Sequence, residues 1–275
     1  MDFLLLGGDS RQQYLARLLA QDGHRVRTWG LGLPTDEASP TGGAQAVILP
    51  LPAEEGEFLR TPLSESSLSR TELLDLLPSG SLVLAGRPSQ ELVMGAWAKG
   101  CRVMDYYGSE ELAIANAVPT SEGAIRLAME VLPVTLRGTP ILVLGYGRIG
   151  KILCEQLRGL GSRVTVGARK STDLAWLAAQ GFPALRSDRL DQAELTGFPL
   201  LINTVPALLL DRAVLDRLSP QAAVLDLASA PGGVDREAAR EIGIQVLTAP
   251  GLPGRQAPAT AALAIREAIY HLLGA

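Results

Sequence analysis

Two successive stretches of short apolar strands alternating with amphipathic helices predict an α/β protein, and the second stretch carries a glycine-rich strand-to-helix turn. The expected architecture is two Rossmann-like domains with parallel sheets, the C-terminal one a dinucleotide-binding fold, joined by a connector helix. The corresponding boundaries are 1–118 for the first domain, 119–137 for the connector and 138–257 for the second domain. A last helix over 258–275 is read as crossing back to complete the first domain.

The chain has 275 residues, 47% of them apolar and 20% charged, enough to fill a core and too apolar for a disordered chain. Its 25 basic and 29 acidic residues leave a net charge of −4 with no basic run, which argues against a nucleic-acid partner. No segment approaches the ~18 apolar residues that cross a bilayer, and the start lacks a basic leader. Two cysteines, Cys101 and Cys154, make no disulfide framework and point to a reducing, cytoplasmic setting.

In the first half, Phe3–Leu6 reads as a buried strand and Gly7-Gly8-Asp9-Ser10 as a turn. Leu15, Leu18 and Leu19 then keep helical spacing before Arg25–Trp29 resumes as a strand. Further strands are expected at Ala46–Leu49, Leu82–Ala85 and Arg102–Met104, with loops over 33–43 and 51–67. Pro119-Thr120 reads as a helix start, with Ile125, Ala128, Met129 and Leu132 on its apolar face, and Pro133 and Gly138 as its end.

The same grammar restarts at Pro140. Ile141–Leu144 is fully apolar, as a strand buried on both faces requires, and Ile149, Ile152, Leu153, Leu157 and Leu160 form the stripe of the next helix. Between them lies Gly145-Tyr146-Gly147-Arg148-Ile149-Gly150. In a G-x-G-x-x-G of this context the first glycine permits the turn, the second lets backbone approach a pyrophosphate, and the third packs helix on strand. The helix amino terminus adds unsatisfied N–H groups and partial positive charge. Later strands are expected at 163–166, 199–203, 222–227 and 244–247.

The end of the second strand discriminates between the two nicotinamide dinucleotides. An acidic residue about 20 positions on holds the ribose hydroxyls of NAD. Here Gly167-Ala168 stands in its place, followed by Arg169, Lys170 and Ser171. No carboxylate repels a 2′-phosphate, and Arg169 offers a planar fork to it, so NADP is the expected cofactor. Three small-residue loops follow later strands on the ligand-binding edge: Asn203-Thr204-Val205-Pro206, the loop of Ala228 and Ser229, and the loop of Pro250 and Gly251.

The runs Gly7–Gln12, Pro119–Gly123, Gly145–Gly150 with Gly167–Arg169, Asp226–Ser229 with Pro231–Gly233, Ala249–Gly254, Ala257-Pro258 and Thr260-Ala261 together resemble the A-subunit family of dipicolinate synthase. The likeness spans residues 3 to 270, keeps motif order and is more specific in the second half; Ala262 stands where the family is expected to carry glycine. It implies NADP-dependent oxidation of dihydrodipicolinate, or its hydrated precursor, to dipicolinic acid in the mother-cell cytoplasm of a sporulating bacterium. It also implies the flavoprotein-like B-type chain of dipicolinate synthase as partner; homo-oligomerisation stays open.

Such a reaction needs orientation of ring and nicotinamide, receptors for two carboxylates and an acceptor for a proton. Thr120 and Ser121, read as the head of the connector helix, are candidates for one carboxylate, and Ser10 and Arg11 for the other. Simple helix capping explains the first pair equally well, and solvation of a first-turn side chain explains Arg11 equally well. Glu122 is the first candidate base and Asp105 the second. His24 and His271 lack metal-pair or triad spacing, the cysteines fit core positions and Gly-x-Ser-x-Gly is absent. Two alternatives remain: an oxidoreductase of the shikimate dehydrogenase or methylene-tetrahydrofolate dehydrogenase type, and a non-catalytic dinucleotide-binding regulatory protein. Lys99 is the only lysine before residue 151, which weakens a Lys–Asp catalytic pair.

Overall fold

A computed structural model gives the fold, with residues 1–37 and 43–274 described. Of the loop expected over 33–43, residues 38–42 lie outside the described residues. The chain forms two compact units, one of residues 1–116 with the segment from Pro253 onward, the other Ala117–Leu252.

The first unit runs β1 (Asp2–Leu6), α1 (Ser10–Gln21), β2 (Arg25–Trp29), β3 (Ala46–Ile48), the hairpin β4 (Glu54–Glu55) and β5 (Phe58–Leu59), α2 (Arg70–Leu76), β6 (Leu82–Ala85), α3 (Gln90–Ala98) and β7 (Arg102–Asp105). Helix α4 (Glu110–Val131) carries the chain into the second unit. There follow β8 (Pro140–Leu144), α5 (Arg148–Gly159), β9 (Arg163–Ala168), α6 (Ser171–Ala179), β10 (Ala184–Arg186), β11 (Leu200–Asn203), α7 (Arg212–Leu215), β12 (Ala223–Asp226), α8 (Arg236–Ile242) and β13 (Gln245–Thr248). Helices α9 (Leu252–Gln256) and α10 (Pro258–Leu273) close the described chain.

Both large sheets are wholly parallel. The first has the order β2-β1-β3-β6-β7 and the second β10-β9-β8-β11-β12-β13. These are the two common doubly wound orders, and each has a point where winding reverses: between β1 and β3, and between β8 and β11. Because side chains alternate along a strand, each sheet feeds two cores. Phe3 and Leu5 join one cluster while Leu4 and Leu6 join the opposite one; Ile141 and Val143 are likewise separated from Leu142 and Leu144.

Helix α10 belongs to the first unit. Its Ala262, Ile265, Ala268 and Ile269 are buried in one cluster with Leu15, Ala16 and Leu19 of α1. The small Ala262 sits fully buried in that stripe, so a residue larger than glycine fits there without disturbing the helix.

The expected start of the connector helix at Pro119 is corrected. The helix begins at Glu110, and Pro119 lies inside it. Ser109 supplies the start signal: its hydroxyl accepts from the Leu112 N–H at 3.2 Å, and two glutamates occupy the first turn. An interior proline forfeits one helical hydrogen bond, a cost of about 3 kcal/mol. Burial of Leu112, Asn116 and Ala117 before it and of Ala124 and Ala128 after it offsets that loss. Strand β10 and the β4–β5 hairpin, too short to show a period, complete the pattern.

Ile265 is fully buried against α1. Ile265→Ala should lower stability by about 2–5 kcal/mol, measured as a shift in the urea midpoint with unchanged m-value.

Candidate functional site at the carboxyl edge of each sheet

In the second unit β8 ends at Leu144 and α5 starts at Arg148, with the glycine turn between. Gly145 has φ +101°, and a Cβ placed on it would lie 2.3 Å from Thr204 Oγ1. A Cβ on Gly150 would lie 2.1 Å from the Gly145 carbonyl oxygen. These two glycines are therefore required by the protein itself, since helix, turn and the end of β11 touch there. Gly147 differs: its φ of −83° suits any residue, and a Cβ there would meet nothing within 4 Å. The open space faces the helix N-cap, which has no side chain to satisfy the first N–H groups of α5. A bare helix amino terminus beside open space, at the reversal point of a doubly wound sheet, fits a dinucleotide diphosphate. Arg148 and Ile149 open the helix there; Tyr146 turns away into the core, its hydroxyl donating to Gln180.

The loops after β11 and β12 are tied together by one carboxylate. Asn203, fully buried, accepts from the Val205 N–H and donates to the Val205 carbonyl, folding its own loop into a turn. Its amide also donates to Asp226 Oδ1 at 2.8 Å. Asp226 accepts in addition from the Ala228 and Gly233 N–H groups, so the loop of Ala228 and Ser229 is anchored to the same side chain. Asn203 therefore holds the loop instead of presenting its side chain to a ligand, and Asp226 is a positioning residue that sequence reasoning did not single out. Thr204 bonds the Leu144 carbonyl at 2.9 Å, while Val205 stays half-buried and Pro206 exposed. Pro250 and Gly251 are exposed after β13.

Beyond β9, Arg169, Lys170 and Ser171 are all exposed. Among the described residues neither cation has an ion-pair partner. Gly167 packs closely on β8, since a Cβ on it would lie 2.6 Å from Leu144 Cδ2 and displace that side chain.

In the first unit the edge is held by charge. Asp9 caps α1, accepting from the Arg11 N–H, from Arg11 Nε at 2.9 Å and Nη2 at 2.8 Å, and from Arg60 Nη1 at 3.0 Å. Burial works to raise its pKa, but the hydrogen bonds and charge of Arg11, joined by Arg60, outweigh it and hold the carboxyl down at about 2. Arg11 is only 5% exposed and also donates to the Leu51 carbonyl. Its guanidinium faces inward, so the solvated first-turn side chain that the sequence allowed is replaced by a buried clamp. Ser10, half-buried, is the first residue of α1. Beneath them, fully buried Gln12 donates to the Tyr106 hydroxyl, which donates to the Leu49 carbonyl at 2.9 Å.

Of the remaining candidates, Thr120 and Ser121 lie elsewhere than at a helix start, whereas Asp105 stands at the end of a first-unit strand as expected. Thr120 and Ser121 occupy the middle of α4, so no free helix amino terminus stands behind them. Ser121 is fully buried and donates to the Ala117 carbonyl at 2.8 Å, a packing role; Thr120 is half-buried. Glu122 projects from α4 into solvent. Asp105 is exposed at the end of β7, with Oδ1 accepting from the Arg87 and Tyr107 N–H groups. Both cysteines are buried, and burial pushes the Cys154 thiol up to about 12.

Comparison with known proteins gives a consistent result. The profile of the N-terminal domain of the dipicolinate synthase A-subunit matches residues 2–107. The dipicolinate synthase A-subunit of Bacillus subtilis (strain 168) is 31% identical, covering 98% of this chain and 94% of that protein. The crystal structure of the dipicolinate synthase A-subunit from Bacillus halodurans superposes with a TM-score of 0.88 at 30% identity, over 100% of this chain and 98% of that one. A transhydrogenase from Sinorhizobium meliloti, at TM-score 0.73 and 16% identity over 99% of this chain and 93% of that one, shares the fold.

The glycine roles separate experimentally. Gly147→Ala should leave stability within about 1 kcal/mol of wild type while abolishing calorimetric nucleotide binding. Gly145→Ala should cost at least about 2 kcal/mol in urea denaturation. The Asp9 cluster predicts a pH dependence: a carboxyl held low contributes stability that is full above the unfolded value near 4 and is lost as pH falls toward 2. Urea titrations from pH 5 to pH 2 should show this slope in wild type and a weaker one in Asp9→Asn.

Proposed function

Because the chain belongs to the A-subunit family of dipicolinate synthase, we propose that it oxidises dihydrodipicolinate, or its hydrated precursor, to dipicolinic acid with NADP. The observation that carries the nucleotide half is the bare amino terminus of α5 over the open face of Gly147. Arg169 and Lys170, without ion-pair partners among the described residues, favour the 2′-phosphate of NADP over the diol of NAD. Bound there, the nicotinamide supplies acceptance of a hydride equivalent. The protein's part is to hold the dinucleotide on the α5 amides, to shape the edge with the loops that Asn203 and Asp226 tie together, and to take up a proton. Oxidation of the dihydropyridine gives up one hydride and one proton and gains aromaticity, so orientation is the larger lever and a carboxylate or water suffices as base. Glu122, solvent-exposed, and Asp105, with Oδ1 used by two backbone amides, are the proposed proton acceptors.

The units are proposed to divide this work, the second binding nucleotide and the first, with α10, contributing to substrate binding or to the partner. The proposed partner is the flavoprotein-like B-type chain of dipicolinate synthase, in the mother-cell cytoplasm of a sporulating bacterium; no helix among the described residues is long and apolar enough to cross a membrane. Assay of the purified chain with NADP and dihydrodipicolinate, alone and with that flavoprotein-like partner, tests the proposal. NADPH should form with the cognate substrate, and no turnover in either preparation would reject the enzymatic reading in favour of a regulatory one. Arg169→Ala should weaken NADP binding by ~10- to 100-fold and leave NAD binding little changed, whereas equal loss for both would remove the 2′-phosphate argument.

A further inference from the structure

At the reversal point of the first sheet, Gly7 and Gly8 follow β1 with φ of +64° and +114°. A Cβ on Gly7 would lie 2.8 Å from the Arg60 carbonyl oxygen and 2.9 Å from Thr61 Cγ2. The Gly8 N–H donates to that same carbonyl at 2.8 Å, and the Arg60 N–H donates to the Ala53 carbonyl at 3.1 Å. The segment after β5 is thus laid directly on the glycine turn, which fixes where Arg60 begins. Its side chain reaches Asp9 through Nη1 alone, leaving Nε and Nη2 without partners among the described residues.

Charge at this edge does not balance. Asp9 is the only carboxylate paired with either Arg11 or Arg60 among the described residues, so two guanidinium groups share one negative charge. The two cations differ in access: the Arg11 side chain is 6% exposed and grips Asp9 through two nitrogens, whereas the Arg60 side chain is 26% exposed and touches it through one. The uncompensated positive charge therefore has its accessible donors on Arg60, at the edge where doubly wound sheets receive ligands. A half-open guanidinium with a spare pair of N–H donors matches a carboxylate in geometry as well as charge.

We infer that Arg60, braced by Asp9 against Arg11, is the receptor for one carboxylate of a small dicarboxylic acid substrate. This rests on the reading that the substrate is a cyclic dicarboxylate. Arg11 then acts through Asp9 as a positioning residue.

The test is calorimetric titration of pyridine-2,6-dicarboxylate into the full chain as wild type, Arg60→Ala, Arg60→Gln and Arg60→Lys, with NADP titration and thermal melting alongside. Arg60→Gln keeps a donor for Asp9 and removes the charge, so it guards against an Arg60→Ala variant that fails to fold. The expected result is a ~10- to 100-fold loss of dicarboxylate affinity in Arg60→Ala and Arg60→Gln, partial recovery in Arg60→Lys and unchanged NADP affinity. In turnover with the flavoprotein-like partner, KM for the dicarboxylate should rise while kcat holds, the pattern of lost uniform binding. Wild-type dicarboxylate affinity in a folded Arg60→Gln variant overturns the inference while leaving the proposed reaction standing. Wild type that neither binds the dicarboxylate nor turns over dihydrodipicolinate overturns both.

Discussion

The candidate nucleotide site depends on a steric constraint: at the end of β8 there is no room for a side chain. The Gly150 position packs onto the Gly145 carbonyl, and Gly145 packs onto the Thr204 side chain, so helix, turn and the end of the neighbouring strand are drawn close together. Only with that approach does the first turn of α5 stand over the strand ends, with no side-chain cap at Gly147. The same closeness recurs at Gly167 against Leu144 and at Gly233, where a Cβ would lie 2.2 Å from Asn203 Nδ2. The edge of the second sheet is built by leaving atoms out.

Each unit then uses one buried or half-buried carboxylate to hold its loops. Asp226 gathers a side-chain amide and two backbone N–H groups, all neutral donors, so the loops after β11 and β12 are held without a cation. Asp9 gathers two guanidinium groups and leaves a surplus of positive charge on the first. The second edge presents backbone amides with Arg169 and Lys170 exposed beyond β9, and the first presents two guanidinium groups around one carboxylate.

The doubly wound pattern was legible because parallel strands buried on both faces are continuous apolar runs, as in Phe3–Leu6 and Ile141–Leu144. The glycine turn after β8 was legible because sterics demand glycine at Gly145 and Gly150. The start of α4 was misplaced because proline is a strong local signal, and the burial that overrides it is tertiary. Ser109 with Glu110 and Glu111 carried the correct start signal. Arg60 was not legible at all: it sits in a loop without period, and only the fold carries it 51 residues back in sequence to Asp9. Asp226 opens the Asp226–Ser229 run, but its anchoring role needs the pairing of Asn203 with Asp226 across adjacent strands.

The pairing of α10 with α1 has a temporal side. The hydrophobic stripe of Leu15, Ala16 and Leu19 leaves the ribosome long before the helix that covers it. Until synthesis has passed residue 273, this face is open to solvent, to chaperones or to another nascent chain. An excised fragment ending near residue 107 would keep its five parallel strands yet present a greasy flank, and should be prone to self-association.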